Sequence, residues 1–141
     1  MSGSSTLIIW GEKILLFHRD DTPLIPNPDC WSLPGGGIEK DETPLQAVKR
    51  ELMEEVSYCP KNIKFLIEIK NKAHNSSYVY LSFVEDGEAK FFKHGPGEGQ
   101  EIGFFSMDET LKLKLTPILR RYLIKFKKEI EEMMRNKITP K

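Results

Sequence analysis

The sequence predicts an α/β domain in which helices flank a mixed β-sheet, and three observations carry that reading. Short β-branched and aromatic runs alternate with amphipathic stretches at irregular intervals, the pattern of hairpins mixed with helical crossovers. Thr43-Pro44 and Thr116-Pro117 each pair a capping side chain with a proline at the first helical position, where its missing N–H costs nothing. The length of 141 residues suits one domain with a single sizeable core. Residues 1–141 are therefore read as one unit, with no repeats and no linker.

The elements follow in chain order. Thr6–Trp10 is a short apolar run turned by Gly11-Glu12, and Lys13–His18 supplies a second run that pairs with it as a hairpin. Arg19-Asp20-Asp21 leaves that strand. Pro23, Pro26 and Pro28, with Asn27 and Asp29, make the next stretch a stiff loop that either walls a pocket or merely connects. Trp31–Leu33 is brief and extended, because residues ahead of Pro34 are biased away from helix. A helix then starts at Thr43-Pro44, capped by Asp41 or Thr43, and at roughly 100° per residue Leu45, Val48, Leu52 and Val56 share one face. Beyond Cys59-Pro60, Ile63–Ile69 and Ser77–Val84 read as strands around the polar turn Lys72–Ser76, and Glu85-Asp86-Gly87 ends the second. Gly95-Pro96-Gly97-Glu98-Gly99 is a loop, and Ile102–Ser106 returns as a strand. From Thr116-Pro117 a last helix carries Ile118, Tyr122, Phe126 and Ile130 as an apolar stripe beside Leu119 and Leu123. Its lysines and arginines read as a solvated face.

Composition excludes several function classes. The 21 basic and 21 acidic residues cancel, so no overall field recruits nucleic acid or a membrane surface. His18, His74 and His94 are far apart and lack zinc-ligand spacing. Cys30 and Cys59 form no CxxC and read as reduced thiols of a cytosolic protein. The start, MSGSSTLIIWGEK, lacks the charged region and the apolar length of a signal peptide. Nowhere do about eighteen apolar residues run together. A soluble, cytoplasmic protein is expected, and a homodimer is compatible with this surface.

The chemistry concentrates between Gly35 and Tyr58, GGGIEKDETPLQAVKRELMEEVSY. Glu51, Glu54 and Glu55 stand at i, i+3 and i+4, so their carboxylates cluster beside the apolar face. Like charges at that spacing cost about a few tenths of a kcal/mol per pair in an isolated helix. Divalent cations, which take oxygen ligands, offset that repulsion. Such ions also neutralise a diphosphate, orient it and lower the pKa of a bound water. A carboxylate free of the metal can then take the attacking water's proton. A helix ending RELMEEV is ordinarily only a charged surface with an apolar underside, and the upstream glycines are what give it weight. Trp31, Phe104 and Phe105 are more often core than base-stacking groups.

The spacing Gly36, five residues, Glu42, seven residues, Arg50-Glu51-Leu52-Met53-Glu54-Glu55-Val56-Ser57-Tyr58 resembles the signature of the Nudix (MutT-like) hydrolases. Every charged position is filled, and the one departure is Ser57, where the family usually has the glycine that suits a left-handed helix exit. Trp31-Ser32-Leu33-Pro34, Glu98-Gly99-Gln100-Glu101 and Phe104-Phe105-Ser106 extend the likeness. The resemblance implies the Nudix α/β/α sandwich with a mixed sheet. It implies a Mg2+ site, with Mn2+ as the alternative ion, held by Glu51, Glu54 and Glu55. A backbone carbonyl at Gly35 and a glutamate of the later loop would join them, Glu98 or alternatively Glu101. It further implies that Arg50 orients a ligand glutamate, that Glu42 and Gly36 support that arrangement, and that Glu51 leads as catalytic base, with Glu54 and Arg50 completing the catalytic set. Arg19, Phe104 and Glu101 are candidates for touching substrate, and Arg19 reads equally well as a structural ion pair.

Three functions follow from that resemblance. The first is metal-dependent hydrolysis of a diphosphate linkage in a nucleoside diphosphate linked to a moiety X. A normal or oxidised nucleoside triphosphate is the preferred small-molecule substrate, and a nucleotide sugar the alternative. The second is a non-catalytic nucleotide-binding module, which the complete set of glutamates disfavours. The third is processing of RNA ends, which the neutral composition disfavours.

Overall fold

The computed structural model describes residues 2–71 and 73–137; Lys72, in the expected Lys72–Ser76 turn, lies outside the described residues. The first two apolar runs form strands β1 (Gly3–Trp10) and β2 (Lys13–His18), joined antiparallel with Ile9 opposite Ile14. On its other side β1 pairs in parallel with β6 (Ser76–Val84), from Gly3–Ser77 to Trp10–Val84. β6 in turn forms an antiparallel pair with β5 (Lys64–Lys70). β2 carries β7 (Glu101–Ser106) along its length, with Lys13 opposite Ser106 and His18 opposite Glu101. Two short strands complete a seven-stranded mixed sheet: β3 (Trp31–Ser32) on the end of β2, and β4 (Gly35–Gly37) on the start of β1.

Alternation along β1 and β2 sends side chains to two cores. Ile8 and Leu15 meet Leu52 and Val56 of α1 (Pro44–Val56) on one face. Leu7, Ile9, Ile14 and Leu16 meet Leu119, Leu123, Ile130 and Met133 on the other face, supplied by α4 (Pro117–Lys125) and α5 (Lys127–Asn136). The expected α/β/α sandwich is the observed fold. Among the described residues no helix is long and apolar enough to cross a membrane.

Local sequence explains both ends of α1. Thr43 accepts from the backbone N–H of Gln46 while the Gln46 side chain accepts from that of Thr43, a capping box, and Pro44 opens the helix. Ser57 ends it in the left-handed region at φ 61°, where the family prefers glycine. Leu45 shares the expected face but is 36 % exposed. Burial on α1 begins at Ala47, so the first turn projects beyond the core. The buried set also takes in Glu55.

The C-terminal region differs more. The single expected helix is two, broken at Phe126 (φ −108°, ψ 17°), whose N–H closes α4 on Tyr122 and whose carbonyl starts α5 by accepting from Ile130. Of the expected stripe Leu119, Leu123 and Ile130 are buried, joined by Met133 and Met134, while Ile118 is 48 % exposed. Two short helices were not expected: α2 (Asp86–Ala89) and α3 (Met107–Lys112). A second capping box, between Ser106 and Glu109, begins α3.

Candidate active site

The site is built where β4 passes beside the second half of α1. Gly36 lies so close to Glu51 that a Cβ there would sit 2.6 Å from Oε1. Gly35 (φ +151°) has no room for a side chain either, because a Cβ would run into the Ser4 carbonyl. The Gly35 N–H donates to Glu55 Oε1 at 2.7 Å. The glycine run is therefore a strand packed edge-on against two carboxylates of the helix.

Arg50 organises the next layer. Its Nε and Nη2 form a fork on Glu42, at 2.7 and 3.0 Å; Nη2 also reaches the Gly37 carbonyl at 3.0 Å, and Nη1 donates to Glu51 Oε1 at 2.9 Å. Hydrogen bonding from Arg50, aided by the Glu39 backbone, holds the Glu42 carboxyl below its ordinary range. The Glu42 and Glu51 carboxylates raise the Arg50 guanidinium well above its usual value. Arg50 is thus tied to Glu51, and Glu42 to Arg50.

Glu51 and Glu55 are joined by Glu98, from the loop before β7: one oxygen from each lies within 4.8 Å of the others. The Glu51 side chain is 12 % exposed and Glu55 is buried. Burial pushes the Glu51 carboxyl up, against the pull of Arg50. Burial pushes Glu55 up to about 9, with Glu51 and Glu98 adding to the shift and the Gly35 N–H opposing it. Three oxygen donors this close, one of them buried without a matching cation, suit a hard divalent ion. The donor set therefore fits a hard divalent cation, which would supply the countercharge that buried Glu55 lacks.

Not every expected residue enters this group. Glu54 is 47 % exposed, 3.6 Å from Arg50 Nη1, and stands outside the trio. Glu101 faces His18 Nδ1 at 3.2 Å instead of the helix carboxylates. Arg19 donates to the carbonyls of Asn27 and Pro26, at 3.2 and 2.7 Å, and among the described residues forms no ion pair. Its charge is still felt by Glu55. Phe104 packs edge-on against Trp10 and Phe92 in the α1-side core, and Trp31 is buried, stacked on His18.

On the opposite face of β4 a cavity of about 300 Å³ is lined by Arg19, Asn27, Gly35, Gly36 and Thr116 among others. An adjoining apolar cavity of about 380 Å³ shares Leu33, Val79, Leu119 and Tyr122 with it and reaches Phe126 and Glu129. Arg19, Gly35, Gly36 and the proline-rich loop were already candidates, whereas Leu33, Val79, Leu119 and Tyr122 carry no local motif that marks them as lining a site. The Thr116-Pro117 helix start marks the helix of Leu119 and Tyr122 but not its role.

A family model for the NUDIX domain matches residues 3–126. The ADP-ribose pyrophosphatase of Methanocaldococcus jannaschii is 34 % identical over 107 residues, which are 72 % of this chain and 59 % of that protein. The RNA pyrophosphohydrolase of Zymomonas mobilis is 33 % identical over 89 residues, 60 % of this chain and 54 % of that protein. The chain thus spans less than two thirds of the length of these relatives. Among solved structures, a MutT NUDIX hydrolase from Burkholderia pseudomallei superposes with a TM-score of 0.69 at 29 % identity, covering 87 % of this chain and 95 % of that one. The NUDIX domain of Shewanella oneidensis NrtR, complexed with ADP ribose, gives 0.71 at 19 % identity over 92 % and 86 %, a likeness of fold alone. With the Gly36-to-Tyr58 motif in place and the family model covering the sheet, α1 and α4, the chain belongs to the NUDIX family.

Proposed function

We propose that this chain is a divalent-metal-dependent hydrolase that cleaves a diphosphate linkage in a small nucleotide. The observation that carries the reading is the grouping of Glu51, Glu55 and Glu98 within 4.8 Å of one another beside a glycine strand. A bound Mg2+ or Mn2+ would neutralise phosphate charge and lower the pKa of a coordinated water. Glu51 is the preferred base, because Arg50 fixes its orientation. Glu54, exposed at the edge of the group, remains a proposed ligand, as does the Gly35 carbonyl. The glycines let phosphate oxygens approach backbone closely, and the paired cavities behind β4 have room for the organic part of a nucleotide.

The preferred substrate is a nucleoside triphosphate, normal or oxidised. A nucleotide sugar is the second reading, favoured by the ADP-ribose pyrophosphatase among the relatives. RNA, named in the RNA pyrophosphohydrolase among the relatives, finds no net positive charge here, with 21 basic against 21 acidic residues. The test is hydrolysis of a panel of nucleoside triphosphates, ADP-ribose and 5′-triphosphorylated RNA in isotopically labelled water. Label should enter a phosphate product, and a strong chelator should stop turnover. Label found only in the nucleoside or in X sinks the diphosphate-hydrolase reading; turnover undiminished by chelator sinks the metal.

A further inference from the structure

Glu98 reaches the helix carboxylates from an irregular loop between α2 and β7. A ligand on a loop is only as good as the loop's order, because any freedom it has must be surrendered when an ion binds. This loop is tied down at both ends. At its start the Lys93 N–H donates to the Val56 carbonyl and the Gly95 N–H to the Glu55 carbonyl, both at 2.9 Å. Those are C-terminal carbonyls of α1, left without intrahelical partners. Gly95 sits so tightly that a Cβ would collide with the Glu54 carbonyl. At its end the Gln100 N–H donates to the His18 carbonyl at 2.8 Å, and the Gln100 side chain holds Asp29 and the Arg19 carbonyl at 2.9 and 2.8 Å.

Between the two anchors one side chain spans the loop. His94 Nε2 lies 3.0 Å from the Glu98 carbonyl oxygen and 2.9 Å from that of Gly99. Carbonyl oxygens only accept, so this nitrogen carries its hydrogen and donates to both. His94 follows Lys93 and precedes Gly95, so its backbone is held against the helix end that carries Glu55 while its ring grips the backbone of Glu98. We propose that His94 is a positioning residue for the metal site, holding Glu98 at the distance from Glu51 and Glu55 that an ion requires. The proposal rests on the metal site of the hydrolase reading, and the experiment separates the two.

Mn2+ titration followed by electron paramagnetic resonance of the free ion is the measurement, on wild type, His94→Ala, His94→Gln, Glu98→Gln and Glu51→Gln. His94→Ala should weaken Mn2+ binding by about 10-fold, the lower end of what loss of a ligand-orienting partner costs. His94→Gln keeps an N–H donor and should recover most of that loss. His94 is exposed, so the metal-free melting midpoint should stay within about 2 °C of wild type. Wild-type Mn2+ affinity in His94→Ala, or equal losses in the Ala and Gln variants, overturns the positioning role. If Glu51→Gln and Glu98→Gln also bind Mn2+ as wild type does, the metal reading falls with it. If those two weaken binding while His94→Ala does not, only the positioning role falls.

Discussion

Replacing Gly36 by alanine probes the site with one methyl group. The φ of Gly36 is not positive, so alanine adopts this backbone without strain. Its Cβ, however, would stand 2.6 Å from Glu51 Oε1 and 2.7 Å from Cδ, where ordinary contact begins at 3.4 Å. The carboxylate must therefore withdraw by about 0.8 Å, the difference between 3.4 and 2.6 Å. Arg50 Nη1 holds that same oxygen at 2.9 Å, and Arg50 is itself forked onto Glu42. The displacement therefore rotates Glu51 within a fixed frame and does not relax harmlessly into solvent. Misplacing a reacting group by about 1 Å can cost about 10²-fold in rate, so kcat should fall by about 10- to 100-fold while KM changes little. Steady-state phosphate release and a thermal melt in the same buffer provide the assay. A Gly36→Ala enzyme whose kcat stays within about two-fold of wild type, beside an inactive Glu51→Gln, would refute the reasoning: Glu51 would be needed without needing its place.

Ser57→Gly should stabilise the fold by up to about 1 kcal/mol, because residue 57 sits at φ 61° where serine is strained and glycine is not; a lower urea midpoint would contradict this. Glu55 gives a pH dependence with a definite sign. Its carboxyl is raised from 4.5 to about 9 in the fold, so in metal-free protein the unfolded state loses the proton first. The stability that protonated Glu55 preserves is present in full below the unfolded value and is lost as pH climbs towards 9. The stability of wild type relative to Glu55→Gln, measured in chelator, should fall across that window, and a difference that rises with pH would contradict the assignment.

Features encoded locally were the ones legible in the chain. The Thr43-Pro44 start, the left-handed exit at Ser57 and the β1–β2 hairpin each depend on neighbours within a few residues. The α3 start was equally local, since Ser106 and Glu109 have capping-box spacing, yet the adjoining strand drew the reading. Non-local features were opaque. Nothing near Thr6 or Tyr80 announces that β1 and β6 run parallel. The 3.6-residue pattern runs through Phe126 without a proline or glycine, so the break there emerges only when α5 packs on the sheet. In the site, the motif spacing placed Arg50, Glu42, Glu51 and Glu55, all on or beside one helix. Of the two loop glutamates, Glu98 lies beside Glu51 and Glu55, whereas Glu101, opposite His18 in the β2–β7 pairing, faces the His18 ring. The exposure of Glu54 and the bracing by His94 depend on how a distant loop meets α1, and neither has a sequence signature.

In the hydrolase reading proposed above, the glycine strand lets one sheet carry catalysis on one face and recognition on the other. Glu51 and Glu55 approach β4 from the α1 side, while Gly35 and Gly36 also line the cavity on the α4 side. Without side chains the wall between the two is backbone alone, so in the proposed reading a phosphate lying over it would be in reach of the carboxylates while its organic group extended among Leu119, Tyr122 and Phe126. The two sets of residues stand on different helices, α1 for the carboxylates and α4 for Leu119 and Tyr122. In that reading, changes in the α4–α5 lining would alter which group is admitted, and they reach the Arg50–Glu51 geometry only through the shared glycine strand. That separation accounts for a long, recognisable motif in α1 beside a C-terminal region with no signature: the carboxylate geometry tolerates little variation, whereas an apolar chamber can be rebuilt from many combinations of side chains.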